Sequence, residues 1–187
     1  MNFIDEISNY IPKNDQETQD KKVIMNCIEM FPGNILYRDN EIAHITCSGF
    51  ILNKSLSKVL MIHHNIRAAW AWTGGHADGN GNLLEVATNE AFEETGVEVI
   101  PISKNIASLD VLIDEGHVKN SKYINAHLHL SVAYLFTADE KSPTIIKPDE
   151  NSDIGWFSID KINSKLFSAG DVYLYAKLLQ QAKAWLL

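Results

Sequence analysis

One stretch constrains this chain more than any other. Residues 74–97, GGHADGNGNLLEVATNEAFEETGV, run a glycine-rich turn straight into a helix-forming segment. In that segment Glu90, Glu93 and Glu94 stand at i, i+3 and i+4, so their carboxylates share one helix face. Like charges placed this way repel, costing an isolated helix roughly 0.2–0.5 kcal/mol per pair. A hard divalent cation turns that cost into a ligand set, because carboxylate oxygens are what Mg²⁺ and Mn²⁺ prefer. Asn82 is placed to cap the helix, with Glu85 three residues on as its capping-box partner, and Gly96 to end it in a left-handed turn.

The pattern around this segment is that of a mixed α/β domain. Apolar spacing predicts helices over residues 2–10 and about 15–30, separated by Pro12 and stopped by Pro32-Gly33. Strand patterns follow over residues 42–52, 58–64 and 69–73, with Asn53-Lys54-Ser55 as the first turn. The glutamate helix spans about residues 83–95. Further strands are expected over about 106–113 and 123–137, the second alternating like a half-buried strand, and over 154–157. Residues 158–166 and 171–187 read as helices.

At 187 residues the chain suits one domain with a substantial core. Residues 1–38 read as a helical extension packed on a domain of residues 39–187. A helical cap is the plain role for that extension, and a homodimer contact the sharper one. The net charge of −8 argues against sequence-independent nucleic-acid binding, which needs Lys and Arg to neutralise phosphates. No stretch reaches the roughly 18 apolar residues of a membrane span. Cys27 and Cys47 have neither metal-like nor redox spacing, which, with no leader pattern at the start, points to a cytoplasmic protein.

The segment resembles the signature box of the Nudix hydrolases, G-x5-E-x7-R-E-U-x-E-E-x-G-U with U a bulky aliphatic. Laid over residues 75–97 the spacing fits without a gap. Gly75, Glu90, Glu93, Glu94, Gly96 and Val97 match, and Ala91 matches weakly. Gly81 stands where the family has Glu, and Asn89 where it has Arg. The resemblance implies a Nudix-type α/β/α sandwich with a mixed sheet over about residues 40–165, with terminal helices outside it. It also implies Mg²⁺- or Mn²⁺-dependent hydrolysis of a nucleoside diphosphate linked to another group, a small-molecule substrate.

By that resemblance Glu90, Glu93 and Glu94 bind metal, the Gly75 carbonyl is a further ligand, and Glu90 or Glu93 takes the catalytic part. A late segment, residues 148–158, resembles the family's E-x5-W pattern and makes Glu150 the candidate fourth carboxylate, with Asp114 and Glu115 as weaker candidates. His76, Trp72 and Asp78 border the turn and are candidate substrate contacts. Core packing for Trp72 and turn stabilisation for Asp78 are the plainer readings. His127 and His129 share one strand face, where they could meet phosphate or metal. Asp78, Asn80 and Asn82 imitate half of a calcium loop, but Leu83 and Asn89 occupy the positions that need Gly and Glu, so that reading fails.

Gly81 and Asn89 carry a consequence. Losing one member of a buried charge pair strands the other, whereas losing both can be neutral. Asn89 is placed to hydrogen-bond Glu85 or Glu93, each four residues away, but brings no positive charge. The same two departures motivate an alternative function, a non-catalytic Nudix-fold nucleotide-binding module or sensor. Isomerase chemistry on an isopentenyl diphosphate-like substrate is a third, unsupported by any Cys near the box.

Overall fold

Three helices begin in the same way. Asn2, Asn14 and Asn82 each turn a side-chain oxygen onto the backbone amide three residues on, at 2.9, 2.8 and 3.3 Å. Each satisfies a donor that a helix start leaves unpaired. They open α1 (Phe3–Asn9), α2 (Asp15–Met30) and α3 (Leu83–Thr95). Helix α3 stops at Gly96, whose φ of 70° glycine adopts without strain. The expected capping box is only half made, because the Glu85 carboxylate accepts from Asn80 instead of reaching back to Asn82. A fourth helix, α4, spans Ala169–Trp185. The structure is a computed structural model and describes residues 2–119 and 121–185; the last two residues of the helix expected over 171–187 lie outside these.

The strands are β1 (Ala43–Asn53), β2 (Lys58–His64), β3 (Ala69–Ala71), β4 (Thr73–His76), β5 (Ile100–Pro101), β6 (Ser108–Asp114), β7 (His117–Lys119), β8 (Lys122–Ile124), β9 (His127–Ala138) and β10 (Asn151–Ser158). Eight form one sheet in the order β10-β2-β1-β9-β5, with β3 on β2, β4 on β1 and β6 on β9. β1 and β9 run parallel, from Ala43 opposite Leu128 to Asn53 opposite Ala138, and the other pairings are antiparallel. β7 and β8 form a separate ribbon.

Helices cover both faces of this sheet. Ile7, Ile24, Ala87 and Ala91 pack on Ile45, Cys47, Leu130 and Val132 on one side. Leu174, Tyr175 and Leu178 of α4 pack on Phe50, Met61, Ala133 and Leu135 on the other. This two-sided cover corrects the half-buried reading of residues 123–137: most of β9 is buried on both faces, as a central strand must be. Its alternation of His and Ser with Leu and Val separates two different environments, neither of them open water.

Other departures have local causes. The strand expected over 69–73 is two short ones, since the chain leaves β2 at Ala71 and joins β1 at Thr73. Between them the Trp72 amide donates to the Tyr175 hydroxyl at 3.3 Å. The helix expected over 158–166 is a single 3₁₀ turn, Ile159–Lys161. There Asn163 offers its side chain to the Lys165 amide at 3.0 Å, the kind of local bond that competes with a helix ladder. Strand 123–137 breaks after Ile124.

The N-terminal helices are tied across the domain by a buried polar cluster. Fully buried Glu17 of α2 accepts from the Tyr10 hydroxyl at 2.7 Å and pairs with Lys177 of α4 at 3.1 Å. Lys177 also pairs with Asp110 of β6. Among the described residues no helix is long and apolar enough to cross a membrane.

Candidate active site

Alternation along β4 sets the geometry. Gly74, Gly75 and His76 lie opposite Ser48, Cys47 and Thr46 of β1. A Cβ added at Gly75 would fall 2.2 Å from the Glu90 carboxylate, so Gly75 faces α3 and its bare backbone lets that carboxylate lie against the strand. A Cβ at Gly74 would strike Ser48 Oγ at 2.8 Å and the Cys47 carbonyl at 2.9 Å. One turn beyond Glu90, the carboxylate of Glu94 (2% exposed) accepts the Gly74 amide at 2.9 Å. The end of α3 is fixed in turn by buried Asn151, whose side-chain amide donates to the Glu94 carbonyl at 2.9 Å.

Burial dominates the electrostatics. It pushes the Glu90 carboxyl up to about 7, with the Glu93 charge adding to the shift. Glu94 is pushed up to about 8, again chiefly by burial, against the lowering effect of the Gly74 amide. Exposed Glu93 pairs with the Lys147 ammonium at 3.0 Å, and Lys147 also pairs with Glu150 at 3.2 Å. Partial burial alone lowers the Lys147 ammonium, but the two carboxylates outweigh it and hold it above the ordinary lysine range.

The structure thus brings Gly75, Glu90, Glu93, Glu94 and Glu150 to one region between β4, α3 and the loop before β10. It leaves Trp72 and His76 elsewhere, and keeps Asp78 only within range of Glu90 by charge. Trp72 is buried against Tyr175 in the α4-side core. His76 faces away from Glu90, among the rings of His44 and His129. Exposed Asp78 forms a two-pronged ion pair with Arg38, in a turn where Asp78 itself has a φ of 45°. Asp114 sits by His117 and His129. Asn89 is exposed and makes neither expected bond: Glu85 accepts from Asn80 and Glu93 from Lys147. A Cβ at Gly81 would meet only Phe3 of α1, at 3.6 Å, beside an open recess of about 410 Å³ lined by Asn2, Phe3, Glu6, Gly81 and Asn82.

Two residues escaped the sequence reading. Lys147 and Asn151 flank Glu150, and a Lys three residues before a candidate acid is the only local signal for either. Their function depends on a fold that returns this loop to α3.

The region suits a hard divalent cation. All its side-chain donors are carboxylate oxygens, with Glu94 buried and Glu90 half-buried, and the glycine cradle leaves no side chain between Glu90 and the β4 backbone.

A mixed sheet between helices, with a glycine turn feeding a glutamate helix, defines a Nudix-type fold. The sequence profile of the NUDIX domain matches residues 43–178, and the chain belongs to that family. Among solved structures, a Nudix-family hydrolase from Clostridium perfringens is 21% identical, with a TM-score of 0.55, covering 73% of this chain and 96% of that one. An Ap4A hydrolase from C. elegans is 13% identical, with a TM-score of 0.52 and coverage of 76% and 96%. A MutT protein from Methanosarcina mazei is 20% identical, with a TM-score of 0.50 and coverage of 75% and 93%. At these identities the likeness is one of fold. No curated protein matches the sequence.

Proposed function

We propose that the protein is a Mg²⁺- or Mn²⁺-dependent hydrolase that cleaves the diphosphate linkage of a nucleoside diphosphate derivative. The observation that carries this reading is the pair of carboxylates, half-buried Glu90 and buried Glu94, laid against Gly75 and Gly74. Glu90 and Glu94 are the primary ligands in this reading, with the Gly75 carbonyl and Glu150 completing the set. When bound, the cation neutralises phosphate charge and lowers the pKa of the attacking water. Glu93, exposed beside them, is a further ligand or the base that takes the water's proton. Lys147 adds a positive charge from a different element than the family's Arg position, now Asn89. Asp78 remains a candidate contact for parts of the substrate beyond the diphosphate. Buried Trp72 is left out of that set, as is His76, which faces the other side of the sheet.

The extension of residues 1–38 belongs to the same reading as a cap on the domain, supported by the Glu17–Lys177 tie. A cytoplasmic location goes with the two free cysteines. The test is turnover of a broad diphosphate panel by purified protein, with and without Mg²⁺. Metal-dependent release of a nucleoside monophosphate is expected, and no turnover on any substrate overturns the reading. The competing reading, a nucleotide sensor, is favoured by the hold of Lys147 on Glu93 and Glu150. Saturable nucleotide binding without hydrolysis in Mg²⁺ would select it.

A further inference from the structure

We propose that His44, His127 and His129 form a second metal site, for a zinc-class divalent cation, on the sheet face opposite the glutamate helix. Sheet register assembles it. His44 of β1 lies directly opposite His129 of β9, and His127, two residues earlier, shares the face of His129. Gly75 faces α3, so its neighbour His76 faces the other way, and its ring lies 4.9 Å from His44 and 5.2 Å from His129. The cluster and the carboxylates are therefore separated by the sheet itself.

The nitrogens are prepared for a cation. His44 is 2% exposed, and its Nδ1 lies 3.0 Å from the Asn40 carbonyl. That contact places a proton on Nδ1 and leaves a lone pair on Nε2, which has no hydrogen-bond partner despite its burial. His127 repeats the carbonyl contact, with Nδ1 at 2.8 Å from the Asn125 carbonyl, and turns its Nε2 toward His129. A ring N–H held by a backbone carbonyl, with the other nitrogen free, is the usual support of a metal-binding imidazole. Nε2 of His127 and Nε2 of His129 are 3.1 Å apart, against the roughly 3.3 Å expected between two nitrogens on one tetrahedral Zn²⁺.

One ligand atom from each of the three histidines lies within 4.8 Å of the other two. A hydrogen bond between His127 and His129 would account for their contact, yet it leaves the buried His44 lone pair unsatisfied. A shared cation satisfies all three. Asp114, with Oδ2 3.6 Å from His129 Nε2, offers a carboxylate for a fourth position.

The donor chemistry separates the two sites. Imidazole suits zinc, copper and nickel, whereas Mg²⁺ prefers oxygen. Millimolar Mg²⁺ therefore occupies the carboxylates without competing at the histidines, and this proposal stands apart from the hydrolytic reading. The test is calorimetric titration of the tag-free full chain with Zn²⁺ in excess Mg²⁺. A single site is expected, retained in Glu90→Gln/Glu94→Gln. In His127→Gln/His129→Gln it should weaken by more than the roughly 10–100-fold of an outer-shell change. Co²⁺ added to the unmodified protein should give the intense visible bands of low-symmetry, nitrogen-rich coordination, a readout independent of how any variant folds. Absence of Zn²⁺ binding in Mg²⁺, unchanged affinity in the folded histidine variant, or loss in the glutamate variant would each overturn the site.

Discussion

The Glu94 carboxylate reaches across twenty positions of sequence to accept the Gly74 amide at 2.9 Å. This contact joins the end of α3 to β4 and holds a buried acid where it has a hydrogen-bond donor but, among the described residues, no direct ion-pair partner.

Glu94→Gln keeps an acceptor for the Gly74 amide while removing the charge. Turnover should fall by at least roughly 100-fold, the scale on which removal of a general acid or base also acts. Because burial disfavours the charged form, the metal-free variant should melt at or above the parent temperature at pH 8. Thermal melts and Mg²⁺-dependent assays on the same preparation check both halves, and retained activity removes Glu94 from the site.

The raised Glu90 and Glu94 carboxyls give the metal-free protein a signed pH dependence. Their ordinary value is 4.5, and in the folded chain they stand at about 7 and about 8. Between these limits the two carboxyls bind more protons in the folded than in the unfolded chain, so their contribution to stability falls as pH rises. His44, His76 and His129, lowered by burial, contribute in the opposite sense below about pH 6.5. The contribution is fully present below about pH 4.5 and is lost above about pH 8. Mg²⁺ should restore stability most at the alkaline end. Denaturant melts at stepped pH with EDTA or Mg²⁺, run on the parent and on Glu90→Gln/Glu94→Gln, isolate the carboxyl contribution. A metal-free parent that gains stability relative to the variant between about pH 5 and 8 contradicts it.

Lys147→Gln removes the cation that pairs with Glu93 and Glu150. Both pairs are partly exposed and worth at most about 1 kcal/mol each, so Mg²⁺ affinity should rise roughly three- to tenfold once the competing ammonium is gone. Calorimetry decides it, and weaker binding would make Lys147 a support of the metal site instead of a competitor.

Lys177→Met leaves Glu17 and Asp110 without their shared cation on the inside of the fold. Breaking a buried pair from one side should cost roughly 3–5 kcal/mol. A companion Glu17→Gln change should recover part of that loss. A single variant within about 0.5 kcal/mol of the parent, the usual limit for surface substitutions, would mean that the cluster contributes little.

Legibility from sequence followed the range of the forces involved. Helix α3 was readable to its ends because Asn82 and Gly96 act within a few residues, and the extent of β2 was readable for similar reasons. The split at Trp72 was not, since it depends on the Tyr175 hydroxyl, about a hundred residues away. The gathering of Glu90, Glu93 and Glu94 on one face is helical periodicity. Their relation to Lys147 and Asn151 is tertiary, and its one local trace is a Lys three residues before Glu150. The histidines were visible as a strand pair, but His44 joins them only through the parallel register of β1 and β9.

That parallel ladder also governs the order in which the molecule can be made. Its strands begin at Ala43 and His127, so the ribosome releases β1, β2 and the whole glutamate helix before the partner that completes the sheet exists. Non-local parallel pairing is slow to form, and an apolar strand kept waiting is open to association with other chains. Nascent chains ending before β9 should therefore depend on chaperones, and the burial of Glu94 and His44 alike should be among the last events of synthesis.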